Sequence, residues 1–230
     1  MNFTVEIIPA CFSPEAGPFV VDVSGTGSRT IAVLDGTGSW GAGAAAARAI
    51  ATCVEAEWRA HAPMNPAHIQ DCLARCLSEI PQELRADDWG HDFSFTNVLL
   101  TETEAWVVAA GWYGVLHLSG SSPQTIFRPL AWVEQQVENG NLSPEEAAIH
   151  EFRHVFAGEM VSADKALRLE VVQVPTRGRV VITSMELFRT LKKIASARSL
   201  ADLSAADLHT MEQDAHARHR PLILVAFQTP

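Results

Sequence analysis

The sequence predicts an α+β fold in which antiparallel sheets are covered by helices. Three observations lead to this prediction: β-rich runs are joined by hairpin-length turns, two helical patterns follow the first strand pair, and strands and helices then alternate in short groups. The 230 residues contain no repeat, linker or low-complexity tract, and 47% of them are hydrophobic. We therefore expect one layered domain over 1–230 with a substantial buried core.

The amino-terminal half predicts a β-hairpin followed by two helices. Ser24–Ser28 is a glycine-containing turn signal between two β-rich runs, and the alanine-rich stretch after Gly36 has the composition and spacing of a helix. Pro63 ends that helix. The predicted elements are strands Phe19–Val23 and Arg29–Leu34 and helices Ala42–Ala60 and His68 to about Leu84.

The carboxyl-terminal half predicts more antiparallel strands with helices between them. At one helix start, Ser143 is the expected N-cap, Pro144 the first helical residue, and Glu146 the partner that closes a capping box. Strands Leu167–Gln173 and Arg179–Thr183 are predicted to pair with each other. The other predicted elements are strands Phe93–Thr101, Glu104–Ala110, Gly114–Leu118 and Leu222–Phe227, a segment Ile126–Leu130 that precedes a helix, and helices Ala131–Glu138, Met185–Ala197 and Ala205–Arg218.

Charge and hydropathy argue against several classes of function. The formal net charge of −10 argues against a nucleic-acid partner, because nucleic-acid phosphates attract basic surfaces. The longest apolar stretches, such as Leu222–Phe227, are strand-sized, so we expect no membrane span. The start of the chain lacks the basic and apolar segments of a signal peptide. Cys72 and Cys76 share a helix face and are expected to be buried free thiols, which fits a cytoplasmic protein.

Gly36–Gly41 spells a GxGxxG string between a predicted strand and a predicted helix. In a dinucleotide-binding unit such glycines bring backbone amides to a pyrophosphate. The context disfavours that interpretation, because a second helix follows where a parallel strand is required and because Asp35 would lie near the phosphates.

His150–His154 spells HExxH, and a helix would place its two histidines on one face to bind zinc, with Glu151 as general base. Arg153 inside the string is unlike the buried helix of a metalloprotease, and no clear third ligand follows. Solvated histidines are therefore the simpler interpretation, and zinc hydrolysis stays open as an alternative.

Acidic residues of the first hairpin form a third candidate site. Asp35 ends a strand and is followed by Gly36, so a carboxylate and a backbone carbonyl can face one cation. Asp22 lies on the neighbouring strand, and pairing around the Ser24–Ser28 turn brings the two carboxylates to one end of the sheet only with an offset. Oxygen ligands suit Mg²⁺ or Mn²⁺. A plain turn after the strand and a solvated Asp22 are the alternative.

The ordered set of segments resembles the metal-dependent serine/threonine protein phosphatases of the 2C type. The most specific match is Val137–His150, which is similar to the segment V-x-x-G-x-[IL]-[ST]-x-E-E-A-x-x-H of bacterial members. The resemblance implies an antiparallel β-sandwich between two helical layers (α-β-β-α), with two Mg²⁺ or Mn²⁺ ions between the sheets. The other matches, in family order, are Thr30–Gly38 to the DGxG turn, Phe93–Val98 and Ala105–Leu118 to the central hairpin, Arg179–Leu187 to the SDGL strand, and Arg218–Phe227 to the last DN strand.

Several positions depart from the metal site that the resemblance implies. Trp112 stands where the family has the acid of its central Gly-Asp pair. Met185 and Glu186 replace the Asp and Gly of the SDGL motif, and Arg220 and Pro221 replace the final Asp and Asn.

The family's ligand set leaves Asp22, Asp35 and the Gly36 carbonyl for one ion. Bridging carboxylates are needed to hold two cations close together, so the resemblance implies one weak Mg²⁺ or Mn²⁺ site at most, or none. Arg220, if it points at that pocket, would repel a cation.

The resemblance and its departures together imply a pseudophosphatase or a strongly impaired enzyme, with no residue assigned a catalytic role. Such a protein would be a phosphoprotein-binding or regulatory signalling module, and its partner a phosphoprotein, a kinase or a phosphatase. The alternative is an active enzyme with a reduced or rearranged metal site, in which metal-bound hydroxide attacks phosphoserine or phosphothreonine. Trp40 and Trp112, near the site, are interpreted either as a contact surface or as buried packing residues.

Overall fold

A computed structural model describes residues 3–8, 18–36, 42–80, 92–119, 122–162, 165–194, 207, 210 and 222–227 of the chain. The strands are β1 Phe3–Ile8, β2 Phe19–Gly25, β3 Ser28–Gly36, β4 Phe93–Thr101, β5 Ala105–Ala110, β6 Gly114–Ser119, β7 Ser122–Phe127, β8 Glu170–Val174, β9 Gly178–Thr183 and β10 Leu222–Phe227. The helices are α1 Ala42–Ala60, α2 Pro66–Ser78, α3 Trp132–Glu138, α4 Pro144–Ile149 and α5 Met185–Ile194, and a 3-10 turn covers Glu151–His154.

The strands form two five-stranded antiparallel sheets. The first sheet has the order β1-β10-β9-β6-β7, and the second has the order β2-β3-β4-β5-β8. The chain crosses from the second sheet to the first between β5 and β6, through Gly111, Trp112 and Tyr113. This crossing places those three residues at one end of the sandwich.

Two apolar cores hold the layers together. Residues of β3 alternate between them: Ile31 and Val33 pack between the sheets, whereas Ala32 and Leu34 pack beneath α1 and α2. Because both faces of β3 are buried in its middle, Ile31–Leu34 is a continuous apolar run. On the far side, Phe188 of α5 packs directly on β6. The layers are therefore α-β-β-α, which confirms the predicted fold class.

The close approach of α1 to β3 depends on small residues. Ala46 and Ala47 of α1 are fully buried, and a Cβ atom at Gly36 would overlap the backbone of Gly43 and Ala44. Gly36 therefore has a packing role at the end of β3, whatever its carbonyl contacts.

The structure also corrects three predictions. The chain has an amino-terminal strand, β1, that the sequence pattern did not predict and that pairs with β10. Strands β8 and β9 do not pair with each other, since β8 pairs with β5 and β9 with β6 and β10. A short connection between apolar strands is common to hairpins and to corners between sheets, so the pattern could not distinguish them. The HExxH string is not on one α-helix, because α4 ends at Ile149 and a separate 3-10 turn follows.

Other local predictions are confirmed. Helix α4 begins with the expected capping box: Ser143 Oγ accepts from the Glu146 amide at 3.1 Å, and Glu146 Oε2 accepts from the Ser143 amide at 2.8 Å. The second of these hydrogen bonds lowers the pKa of Glu146 below its usual value. Cys72 and Cys76 are free and buried. A separate finding is that no helix in the described ranges is long and apolar enough to cross a bilayer.

We expect Gly36→Ala to lower the free energy of unfolding by about 3 kcal/mol, because the new methyl group meets backbone that cannot move aside cheaply. Urea unfolding followed by tryptophan fluorescence measures the change. Gly140→Ala is the control: its Cβ would meet no atom within 4 Å, but its φ of 75° is left-handed. That substitution should cost about 1 kcal/mol from backbone strain alone. Equal losses for the two variants would contradict the packing role.

Candidate functional site

The candidate site lies at the end of the sandwich where β3 stops and the chain crosses from β5 to β6. Asp35 is the next-to-last residue of β3 and pairs with Ser94 on β4. Gly111 has a φ of 118°, and a Cβ atom there would overlap Ser94. This close backbone approach brings the residues after Gly111 over the end of β3.

Asp35 accepts hydrogen bonds from both residues that follow Gly111. Its Oδ2 atom lies 3.0 Å from Trp112 Nε1 and 3.0 Å from Tyr113 Oη, so an indole N–H and a phenol O–H both donate to one carboxylate oxygen. Asp35 is only 9% exposed and Tyr113 is fully buried. A buried carboxylate needs such donors, because leaving water without them costs several kcal/mol.

Trp112 is a packing residue of the inter-sheet core. It is 7% exposed, and its ring meets Phe156 edge to face at a centroid distance of 6.4 Å. Of the two interpretations drawn from the sequence, the buried one is therefore confirmed for Trp112. Trp40 lies outside the described residues.

Asp22 is not brought to Asp35. It pairs across the hairpin with Ile31, four residues before Asp35 on β3, so the two positions are about 13 Å apart along the strand. The Asp22 carboxylate instead forms a two-pronged ion pair with Arg29, with Oδ1–Nε at 2.9 Å and Oδ2–Nη2 at 2.7 Å. These hydrogen bonds raise the pKa of Arg29 above its usual value.

Met185 and Glu186 stand at the start of α5. Met185 is 2% exposed and packs with Ala131 and Val133 in a small core under α3. Where the resemblance places a metal-binding acid, the chain thus has a buried thioether that attaches α5 to α3. Glu186 is partly exposed in the first turn of α5.

The described side chains do not fit a two-ion centre. Two positions that the family fills with acids hold other groups: the indole of Trp112, which contacts Asp35, and the thioether of Met185, and neither is a ligand for Mg²⁺ or Mn²⁺. No group of three or more His, Cys, Asp or Glu within the described ranges is placed to hold a metal ion. Arg220 and Pro221 lie outside those ranges. Metal binding by Asp22, Asp35 and Gly36 stays a prediction.

Two residues of this region, Arg29 and Tyr113, were not predicted from the sequence. Arg29 could have been found, since a hairpin closed at Gly25–Ser28 places it diagonally across from Asp22 on the same sheet face. Tyr113 carried no comparable signal, because its contact with Asp35 depends on the close packing of Gly111 against Ser94.

Comparison with known proteins finds similar structures but no match by sequence. No family model matches the sequence, and no curated protein matches it. The structure is similar to a serine/threonine phosphatase of S. agalactiae, with a TM-score of 0.75, 16% identity and coverage of 99% of both chains. It is also similar to the catalytic domain of the serine/threonine protein phosphatase PstP in complex with two manganese ions (TM-score 0.67, 17% identity, 97% and 96% coverage).

A third similar structure is PppA, a regulatory component of the type VI secretion system (T6SS) of Pseudomonas aeruginosa, with a TM-score of 0.64, 15% identity and coverage of 97% and 96%. The three comparisons cover 97% to 99% of this chain. They confirm the phosphatase 2C-like fold that the resemblance predicted.

Trp112→Phe is expected to lower the free energy of unfolding by about 2 kcal/mol, because the buried Asp35 carboxylate loses one of its donors. Chemical denaturation measures this change. Trp106→Phe is the matched control, since its Nε1 donates to Glu104 at 3.3 Å on the surface and its loss should cost less than about 0.5 kcal/mol. A Trp112→Phe protein as stable as the control would show that the indole donor contributes nothing.

Proposed function

We propose that this chain is a phosphatase 2C-like pseudophosphatase, which binds phosphoproteins or regulates a kinase or phosphatase without turning over substrate, and that it acts in the cytoplasm. The observation that carries the proposal is the contact of the Asp35 carboxylate with Trp112 and Tyr113. A metal-dependent phosphatase needs that kind of carboxylate as a cation ligand, and here two neutral donors of the protein form hydrogen bonds to one of its oxygens.

The electrostatics of the site support the same proposal. Hydroxide formation on a metal ion depends on cations held close together by several carboxylates. Asp22 already has a cationic partner in Arg29, so recruiting it would break an ion pair as well as move it along the strand. Trp112 and Met185 are both buried, so neither position can be filled by an incoming ligand without unpacking a core.

The second candidate is an active Mg²⁺- or Mn²⁺-dependent serine/threonine phosphatase with a reduced or rearranged site. The similarity to PstP, which was solved with two manganese ions, is the observation that favours it. In this reading, Asp35 would exchange its protein donors for a cation.

A phosphatase assay separates the two candidates. The purified chain is assayed with p-nitrophenyl phosphate and with a phosphothreonine peptide in excess Mn²⁺, beside Asp35→Asn and the surface control Asp71→Asn. We expect no Mn²⁺-dependent turnover in any of the three proteins. Turnover that is retained in Asp71→Asn and abolished in Asp35→Asn would establish the active enzyme instead.

Thermal unfolding gives a readout that does not depend on activity. If Asp35 keeps its protein donors, millimolar Mn²⁺ should leave the Tm of the chain unchanged, because an ion that does not bind the native state cannot stabilise it. A rise in Tm that Asp35→Asn removes would be direct support for a metal site.

A further inference from the structure

A cleft on the far side of the molecule from α1 and α2 lies between α3, α4 and α5. It has a volume of about 700 Å³, and its apolar floor is formed by residues such as Val133, Ala147 and Phe188. Its charged side chains are Arg128, Arg153, Arg189, Lys192, Glu134 and Glu138. We call these walls and floor the basic cleft.

The basic cleft carries more positive than negative charge. Arg128 is bonded to Glu134 at 3.2 Å and to Glu138 at 3.1 Å, and Arg189 Nε donates to Glu134 at 3.1 Å. These contacts use both carboxylates of the cleft. Within the described part of the chain, no carboxylate forms an ion pair with the two remaining cations, Arg153 and Lys192. A local excess of cations in a chain of net charge −10 points to an anionic ligand.

One donor nitrogen of the Arg189 guanidinium has no acceptor among the described residues. Its Nη1 donates to the Arg153 carbonyl at 2.9 Å, and its Nη2 is buried without a partner among the described residues. A guanidinium donor without an acceptor is costly, and a phosphate oxygen is one of its strongest acceptors.

An exposed apolar patch continues from the basic cleft along the chain. Ile149, Phe152 and Val155 are 82%, 46% and 45% exposed, and they are three of the five large exposed hydrophobic residues in the described structure. Phe152 also belongs to an aromatic group with Trp132 and His150, with ring centroids 5.1 to 5.5 Å apart. A concentration of exposed apolar side chains beside a charged cleft is typical of a binding surface.

We propose that the basic cleft and the apolar patch together bind a phosphorylated segment of a partner protein. A phosphate dianion matches the two unpaired cations, Arg153 and Lys192, better than a single carboxylate does. Arg153 lines the cleft and lies between Phe152 and Val155 in the chain, so a peptide whose phosphate enters the cleft places its flanking apolar residues on those two side chains. The proposal rests on the proposed phosphoprotein-binding role and gives it a surface separate from Asp35.

The test uses two synthetic peptide libraries that are labelled with a fluorophore and carry degenerate flanking residues. They are identical except that the central serine is phosphorylated in one of them. Fluorescence anisotropy with the full chain should show the phosphorylated library binding at least about tenfold more tightly than the other. No preference for the phosphorylated library overturns the proposal.

Matched variants assign the binding to this surface. Arg153→Glu and Lys192→Glu should each remove most of the preference for phosphate, whereas Arg59→Glu, an exposed cation of α1, should keep it. Val155→Ser should weaken binding about threefold or more, and Val171→Ser, of similar exposure on β8, should not. Because Lys192 is exposed and forms no ion pair with a described residue, its variant remains informative even if Arg153→Glu disturbs the turn.

The remaining outcomes also decide the matter. Free O-phosphoserine that competes as well as the peptides would mean a small-molecule phosphate site, and an equal affinity for aspartate-substituted peptides would mean a general acidic ligand; either result overturns the proposal. So would a dimer in sedimentation that Val155→Ser dissociates, since the patch would then be covered by a second copy. If the peptides do not bind and the phosphatase assay shows no turnover, the proposed loss of catalysis still stands. If the assay does show turnover, only the proposed loss of catalysis is overturned.

Discussion

The packing at one end of the sandwich depends on the hydrogen bonds that the Asp35 carboxylate accepts. Of the described acidic residues it alone is buried, and it receives an indole and a phenol donor from the segment that crosses between the sheets. Those two bonds hold Trp112 and Tyr113 in the inter-sheet core. The left-handed backbone at Gly111 makes the crossing close enough for both contacts. The packing at this end of the sandwich and the function that we propose therefore depend on the same few atoms.

A second departure from the family's metal site, at Met185, connects the site to the surface that we propose for binding. Met185, at a position where the resemblance implies an acid, is buried with Ala131 and Val133 and so joins α5 to α3. These two helices form walls of the basic cleft. The packing of Met185 therefore fixes α5, which carries the cleft cations Arg189 and Lys192, against α3.

Much of the fold could be predicted from the sequence, because local signals agreed with the final packing. The alanine-rich run gave α1 with the expected bounds, and the capping box at Ser143 formed as expected. Pairing between distant strands carried no such signal: β8 and β9 have a hairpin-length connection and still enter different sheets. The same holds for the candidate site. The sequence showed that Trp112 stands where the family has an acid, but its hydrogen bond to Asp35 depends on the path of the chain between β5 and β6 and could not be predicted.

The most direct test of the central claim is the anomalous scattering of manganese in crystals of this chain soaked in Mn²⁺. We predict no manganese peak beside Asp35, with Trp112 Nε1 and Tyr113 Oη still in hydrogen-bonding contact with its Oδ2 atom. A peak bonded to the Asp35 carboxylate, with the indole and phenol displaced from it, would contradict the account.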